Sequence, residues 1–529
     1  MTDENHRTLF PLPALPSAAL AVLGGTLYFL SFAGIDIWPL AFVCYVPFFF
    51  ALYKQPTKRA TWIGLLAGVV MGVGGFYWLQ TMLLTFSGFP FVACAFFTLV
   101  VCTFQAGRWA MMGWLFSRTT ARGWPLMLSF AAAFVTSELT YPLLFTWYFA
   151  GSIHKVPVFT QTAELGGTIL VGLGLLASNI ALSEALLSKF EKRPLVRARV
   201  VGPLVALALA LVFGAWRIRS VDARVAAAPS VRVGTVQANM GLNEKRSQFA
   251  EGLKRHMDAT ASLRERGAEM IVWSETSAMT PVHEKNTAVA MKRTLAEIKL
   301  PAIVGAVLYR DDPIRDHVYY NTALSVDANA NVTGRFDKTY LLMFGEYLPL
   351  GETFPILYQW SPNSGKFTPG KTLDPLKIIQ GGAEHRVTTL ICYEDIIPSF
   401  TRDAVNKGDP EMLVNITNDA WFGDSTEPWE HLALAKFRAI EHRKYLIRST
   451  NSGVSAIIDP VGRVLSNTET MKQETLLETV HWLSGGRTLY AMIGNLPWWI
   501  VALLASVGAF VRRRSRVTDV APKIDAIGV

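Results

Sequence analysis

The sequence predicts a polytopic α-helical membrane bundle of eight transmembrane helices that carries one α/β domain. Three observations predict it. The 529 residues are 51% hydrophobic, with 15 Trp and 31 Phe but only 17% charged residues, more apolar than a water-soluble protein of this size needs. The apolar residues are segregated: roughly 13–217 and 488–511 are mostly apolar, whereas 225–485 has the mixed composition of a water-soluble domain. Within the apolar parts lie eight runs of about 18 or more residues, the length that crosses a bilayer.

These runs fall at roughly 13–32, 36–53, 61–84, 89–117, 124–149, 160–187, 200–217 and 488–511. Cationic loops orient them. KQPTKRA (54–60), RTTAR (118–122) and KFEKRPLVRAR (189–199) hold most of the loop Lys and Arg, and RRRSR (512–516) follows the last run. The alternate connections, around 33–35, 85–88 and 150–159, hold only Lys155. Basic loops stay in the cytoplasm, so both termini are expected there and the 225–485 domain on the outer side. Arg217, Arg219 and Arg224 lie on the wrong side of the seventh run for this orientation. Asp3 and Glu4 flank the first run, which is expected to remain as an uncleaved anchor. The expected division is therefore 1–220, 225–485 and 486–529. The net charge of +9 is accounted for by the cytoplasmic loops. No basic-aromatic interleaving appears in the outer domain, and nucleic acid is not an expected partner.

The outer domain begins with a strand, VRVGTVQ (231–237), and an amphipathic helix spanning 243–267. EMIVWSE (269–275) reads as a short buried strand that delivers Glu275 at its carboxyl end, followed by a helical run near 285–298. Further strands are expected at 302–310, 320–328, 332–340, 385–394, 412–419, 446–453 and 455–464, with one helix at 429–445. Strands alternate with helices early and pair as hairpins late. Such a pattern makes a mixed sheet covered by helices.

One stretch raises a chemical question. TTLICYEDIIP (388–398) ends a strand in the domain's lone cysteine, Cys392, while Cys44, Cys94 and Cys102 lie in apolar runs. A single thiol in an oxidising compartment is a liability unless it is shielded or used. Three strand ends collect reactive groups: Glu275, Lys338 and Cys392. Reactive residues gather beyond strand ends in sheet-based enzymes. A cysteine nucleophile needs a base and a partner for the oxyanion. Glu275, after apolar MIVW, suits a partly desolvated base, and Lys338 can hold a thiolate and then face the oxyanion. A Cys-His pair is the alternative: His385 precedes Cys392 by seven residues on one strand, and His431 and His442 share a helix. No CxxC or HxxxH pair suggests a metal site, and no cofactor is expected.

Together, WSET around Glu275, FDKTYLLMFGEYLP around Lys338, ICYED around Cys392 and RAIEHRKYLIRSTNSGVSAIIDPVGRV (438–464) resemble the nitrilase superfamily of carbon-nitrogen hydrolases, whose fold is an αββα sandwich. A sandwich set between seven spans and one is similar to the apolipoprotein N-acyltransferase family in particular. SFAGIDIWPLAF (31–42), GVGGFYW (72–78), VQAN (236–239) and NITNDAWFG (415–423) match its blocks. The resemblance implies a monomeric, cofactor-free acyltransferase of the bacterial inner membrane with its catalytic domain on the periplasmic side. It would move an acyl chain from a phospholipid to the α-amino group of the diacylglyceryl-modified cysteine of apolipoproteins. It implies Glu275 as base, Lys338 as oxyanion stabiliser and Cys392 as nucleophile. Glu346 would support the triad, Glu394 would be the acid after the cysteine, and the Tyr393 backbone N–H would serve the oxyanion hole. Trp147, in LFTWYFAG, falls where the family has a lipid-facing tryptophan. That segment departs from the family's GFPW-like pattern, and Ala238 replaces a usual glycine.

The expected chemistry is ping-pong transfer through a Cys392 thioester, with water kept out. One rival reading is a membrane-tethered nitrilase-type amidase hydrolysing a small substrate. The other is a transporter with a binding domain, for which Arg108 and Glu138 are the main intramembrane charges.

Overall fold

The computed structural model describes residues 9–87, 89–241, 248–278, 280–360 and 365–512. The Asp3 and Glu4 flank, the start of the 243–267 helix and all of RRRSR except Arg512 lie outside the described residues.

All eight apolar runs carry helix, but hydropathy overstated some lengths. Among the described residues, four helices are long and apolar enough to cross a membrane: Ala14–Ser31, Phe91–Ala121, Ala163–Phe190 and Arg197–Ala226. A fifth span arises if Thr57–Gly75 and Trp78–Thr85, bent by 59°, count as one. Trp38–Leu52, Leu126–Thr140 and Leu496–Phe510 are shorter. The run at 124–149 loses its helix after Thr140. Tyr141 precedes Pro142 and so disfavours helical backbone. Gln105 then takes over the hydrogen bonds, accepting from the Leu144 N–H at 2.7 Å and donating to the Phe145 carbonyl at 2.8 Å. The resulting loop, 141–148, faces the α/β domain. Small residues let helices Thr57–Gly75 and Phe91–Ala121 meet closely. A Cβ on Gly64 would stand 2.3 Å from the Trp109 carbonyl oxygen, and one on Gly68 2.8 Å from the Ala106 Cα.

Among the described residues the α/β domain holds two sheets, of seven and six strands. The first contains β1 (Ser230–Gln237), β2 (Met270–Trp273), β3 (Val282–His283), β4 (Ala302–Asp312), β5 (Asp316–Val326) and β6 (Val332–Asp337). The second contains β7 (Leu376–Gln380), β8 (Ala383–Ile391), β9 (Met412–Thr417), β10 (Leu446–Thr450), β11 (Ala456–Ile458) and β12 (Val464–Asn467). The last strand, β13 (Glu474–His481), returns to pair antiparallel with β1. The sequence reading missed β3, β7 and β13 and the helix Pro398–Gly408.

The sheets pack face to face. Val231, Val233, Met270 and Val272 of the first meet Val387, Ile391, Val414 and Ile447 of the second. Helices Phe249–Glu265 and Thr287–Leu295 cover the first sheet through Leu263, Met291 and Leu295. The second sheet is covered by Glu427–His442, whose other side packs against the bundle, so that Leu413 and Ile458 share one core with Phe32 and Phe149. This is an αββα sandwich with one α layer pressed between sheet and bundle. In each sheet the middle strands run parallel, β1–β2–β4 and β8–β9–β10. With both faces covered, such strands are apolar on both sides; β2 and β9 are buried throughout. Their carboxyl ends open on one side, where crevices form.

Polar ties fix the domain to the bundle. Arg443 donates to Glu164 at 2.6 Å and to Gln161 at 2.6 Å. Tyr148 donates to the Leu434 carbonyl at 2.9 Å. Arg108 and Glu138 are paired at 3.6 Å, and Glu138 also accepts from the Phe149 N–H at 2.8 Å. Both charges hold the 141–148 loop region in place.

Candidate active site

Cys392 leaves β8 with φ of +53°, a left-handed conformation that side chains with a Cβ rarely adopt. The chain turns at once into a short 3-10 helix, Cys392–Ile396. Asn415 of β9 holds this turn, donating to the carbonyls of Leu390 and Cys392 at 3.2 Å each. Glu394 lies buried beneath it. Its carboxylate accepts from the N–H groups of Ile391 at 2.8 Å, Thr339 at 2.7 Å and Tyr340 at 2.9 Å. It therefore ties the cysteine turn to the segment after Lys338. Burial pushes the Glu394 carboxyl up to about 7 against those N–H groups and Lys338.

Lys338 follows β6 and is 1% exposed. Its Nζ stands 2.7 Å from Glu346 Oε2 and 3.7 Å from Glu275 Oε1. Asn321 of β5 bridges the two acids, donating to Glu275 Oε1 at 2.6 Å and to Glu346 Oε1 at 3.0 Å. The Leu342 N–H also reaches Glu346, at 2.9 Å. Burial opposes the charge on Lys338, but Cys392, Glu346 and Glu275 outweigh it and hold the ammonium well above the usual lysine range. Burial pushes the Cys392 thiol up, Lys338 pulling against it while Glu275, Glu346 and Asp419 add to the rise. With these opposing influences a base is needed to take the thiol's proton during attack.

The structure brings together Glu275, Lys338, Cys392, Glu346 and the Glu394-held turn. Tyr393 adds a link to the bundle: its hydroxyl accepts from the Thr146 N–H and donates to the Leu144 carbonyl, both at 3.0 Å. Trp147 lies deeper. It is 2% exposed, stacked on Phe32 at 3.8 Å between ring centres and 4.8 Å from Phe76. Its carbonyl accepts from Arg108. Phe76, Trp78, Phe145 and Thr146, rather than Trp147, line a cavity of about 40 Å³ between bundle and sandwich, with Cys392 in its wall.

Sequence reasoning missed Asn321, Asn415 and the buried network behind the cysteine. An Asn within an apolar strand, as in YNTALSV and MLVNIT, was the available signal. In the network, His431 faces Asp395 at 2.8 Å and Asp419 at 3.2 Å, and Arg448 donates to the same two acids at 2.6 and 2.9 Å. Burial and Arg448 oppose the charge on His431, but Asp395 and Asp419 lift it to about 10. An imidazolium is a poor base, which disfavours a Cys392–His431 pair. His385 is elsewhere, stacked on Trp482 with Nδ1 2.9 Å from Glu411. Asp419, Glu427 and His431 bring possible ligand atoms within 4.8 Å of one another. Both His431 nitrogens face carboxylates, so the ring offers no lone pair to a metal.

Residues 232–482 match the family model described as carbon-nitrogen hydrolase, and residues 24–181 match that of the apolipoprotein N-acyltransferase N-terminal domain. Among relatives, the apolipoprotein N-acyltransferase of Geobacter metallireducens is 29% identical over 514 residues, covering 94% of this chain and 96% of its own length. That of Vibrio cholerae is 28% identical over 522 residues, covering 96% and 98%. An amidase from Nesterenkonia sp. of solved structure is 17% identical with a TM-score of 0.35, covering 48% of this chain and 91% of its own.

Proposed function

The chain belongs to the apolipoprotein N-acyltransferase family, and we propose that it transfers an acyl chain from a membrane phospholipid to the α-amino group of diacylglyceryl-cysteine on apolipoproteins. It is an acyltransferase built on the carbon-nitrogen hydrolase fold. The observation that carries the donor and the mechanism is the cavity itself. Its wall contains Cys392 on one side and bundle residues Phe76, Trp78 and Phe145 on the other. A nucleophile that faces the membrane-embedded part suits a lipid ester; a small polar amide has no use for that wall.

In this mechanism Glu275 takes the thiol proton as Cys392 attacks the ester carbonyl. Lys338 and the Tyr393 backbone N–H hold the oxyanion. Glu275 then protonates the departing lysophospholipid alkoxide, leaving the acyl chain as a Cys392 thioester. The acceptor amine attacks that thioester, a proton passes to Glu275, and Cys392 leaves as thiolate. Glu346 keeps Lys338 aimed at the oxyanion. Glu346→Gln is expected to fold but to form the thioester about tenfold more slowly, equivalent to ~1.4 kcal/mol of barrier, because the amide keeps the shape but loses the charge and turns one of two acceptors into a donor that faces a donor. Stopped-time acylation assays check it; wild-type rates would leave Glu346 a bystander.

The proposed topology has eight spans, both termini in the cytoplasm, and the 225–485 domain on the periplasmic side of the inner membrane, following the loop charges. Periplasm-active reporters fused after residue 220 are expected to work and those fused after 516 to fail, with the reverse for cytoplasmic reporters. An active cytoplasmic reporter after 220 would contradict the orientation.

The activity is tested with purified chain in detergent, a phospholipid bearing a labelled acyl chain, and a synthetic peptide with an amino-terminal diacylglyceryl-cysteine. Labelled N-acyl peptide is the expected product. Labelled free fatty acid without acylated peptide would favour the amidase-type hydrolase instead.

A further inference from the structure

One carboxylate in the cavity wall has no assigned task. Glu427 begins the helix Glu427–His442 and is 9% exposed. It lines the same cavity as Cys392. Its Oε2 is buried without a hydrogen-bond partner, and its Oε1 is 3.9 Å from His431 Nδ1. Neighbouring acids are satisfied: Glu430 accepts from Thr426 at 2.8 Å and from Trp78 at 3.2 Å. Arg448 and His431 lie between Asp395 and Asp419, and Glu427 shares only the 3.9 Å contact with His431 while it faces the cavity. A buried, unpaired acceptor is costly unless a ligand completes it.

We propose that Glu427 binds the acceptor's α-ammonium group beside the Cys392 thioester and takes its first proton. This deepens the proposed acyl transfer and rests on it. A cavity of about 40 Å³ has room for an ammonium beside the thiol. Burial and Asp419 raise the proton affinity of Glu427 above the usual carboxylate range, which makes its carboxylate a stronger base towards an ammonium than an ordinary one. The balance is complete. The ammonium gives one proton to Glu427, and the free lone pair forms the C–N bond to the thioester carbonyl. The nitrogen gives a second proton to Glu275 as the C–S bond breaks, and Cys392 departs with the electron pair.

The test separates the two half-reactions in the full-length chain. Glu427→Gln is expected to form the Cys392 thioester from phospholipid at the parent rate, which also shows that it folds. Its transfer to the diacylglyceryl-cysteine peptide is expected to slow by about tenfold or more, the loss of a charge-assisted hydrogen bond. Hydroxylamine, a nucleophile uncharged at neutral pH, is expected to discharge both thioesters equally, and Glu427→Asp to recover part of the peptide transfer. Parent-like peptide transfer by Glu427→Gln overturns the proposal, as does an equal loss with hydroxylamine. Absence of a thioester in the unsubstituted chain overturns the acyl-transfer reading beneath it, a result distinct from either of those.

Discussion

Cys392→Ser is expected to abolish acyl transfer, lowering the rate on the order of 10³-fold or more, as removal of a nucleophile does elsewhere. The reason lies in the site's charges. Burial, Glu275, Glu346 and Asp419 push the thiol up, with Lys338 alone opposing them. A hydroxyl in the same place is a far weaker acid, and the carboxylate at Glu275 is not matched to it. Cys44, Cys94 and Cys102 are each fully buried in the bundle, and their replacement by Ala removes packing and, at Cys44 and Cys94, a weak S–H contact to a backbone carbonyl. Those variants are expected to keep the parent's transfer rate once inserted. An active Cys392→Ser enzyme, assayed with labelled phospholipid and peptide, would remove the cysteine from the mechanism.

Lys338→Arg is expected to fold and insert, yet to form the thioester at least about a hundredfold more slowly, the scale of losing one fixed oxyanion donor. The ammonium is 1% exposed and sits between Glu346 at 2.7 Å and Glu275 at 3.7 Å. A planar guanidinium keeps the charge but cannot occupy that compact position while aiming one donor at an oxyanion. The measurement is the rate of adduct formation with phospholipid alone. Near-parent rates would mean that Lys338 sets the local field and that backbone N–H groups hold the oxyanion.

Much of this was legible in the sequence because parallel strands end on one side of a sheet. Glu275 after β2 and Cys392 after β8 lie at the carboxyl ends of apolar strands, so pattern alone set them near a common crevice. Their relation through Asn321 was not legible. It requires β5 to be threaded beside both acids, and strand pairing over long separations leaves no local mark. The same holds for β13, which pairs with β1 from the far end of the domain. Its sequence, ETLLETVH, lacks the β-branched density of a central strand. Glu427 was invisible for another reason. In sequence it is one acid among several in STEPWEH, and only the helix packed between sheet and bundle turns it towards the thiol's cavity. In the bundle, hydropathy reported apolar length faithfully but not backbone shape. The Tyr141–Pro142 step and the Gln105 hydrogen bonds end one helix early and free the loop that Tyr393 grips.

The central claim is that a lipid acyl chain becomes covalently attached to Cys392 before any acceptor is present. Mass spectrometry of the purified chain, incubated with phospholipid alone and digested, tests it most directly. The expected product is a peptide containing Cys392 heavier by one acyl group, discharged by hydroxylamine and absent from Cys392→Ala. No adduct, or an adduct that persists in Cys392→Ala, would contradict it.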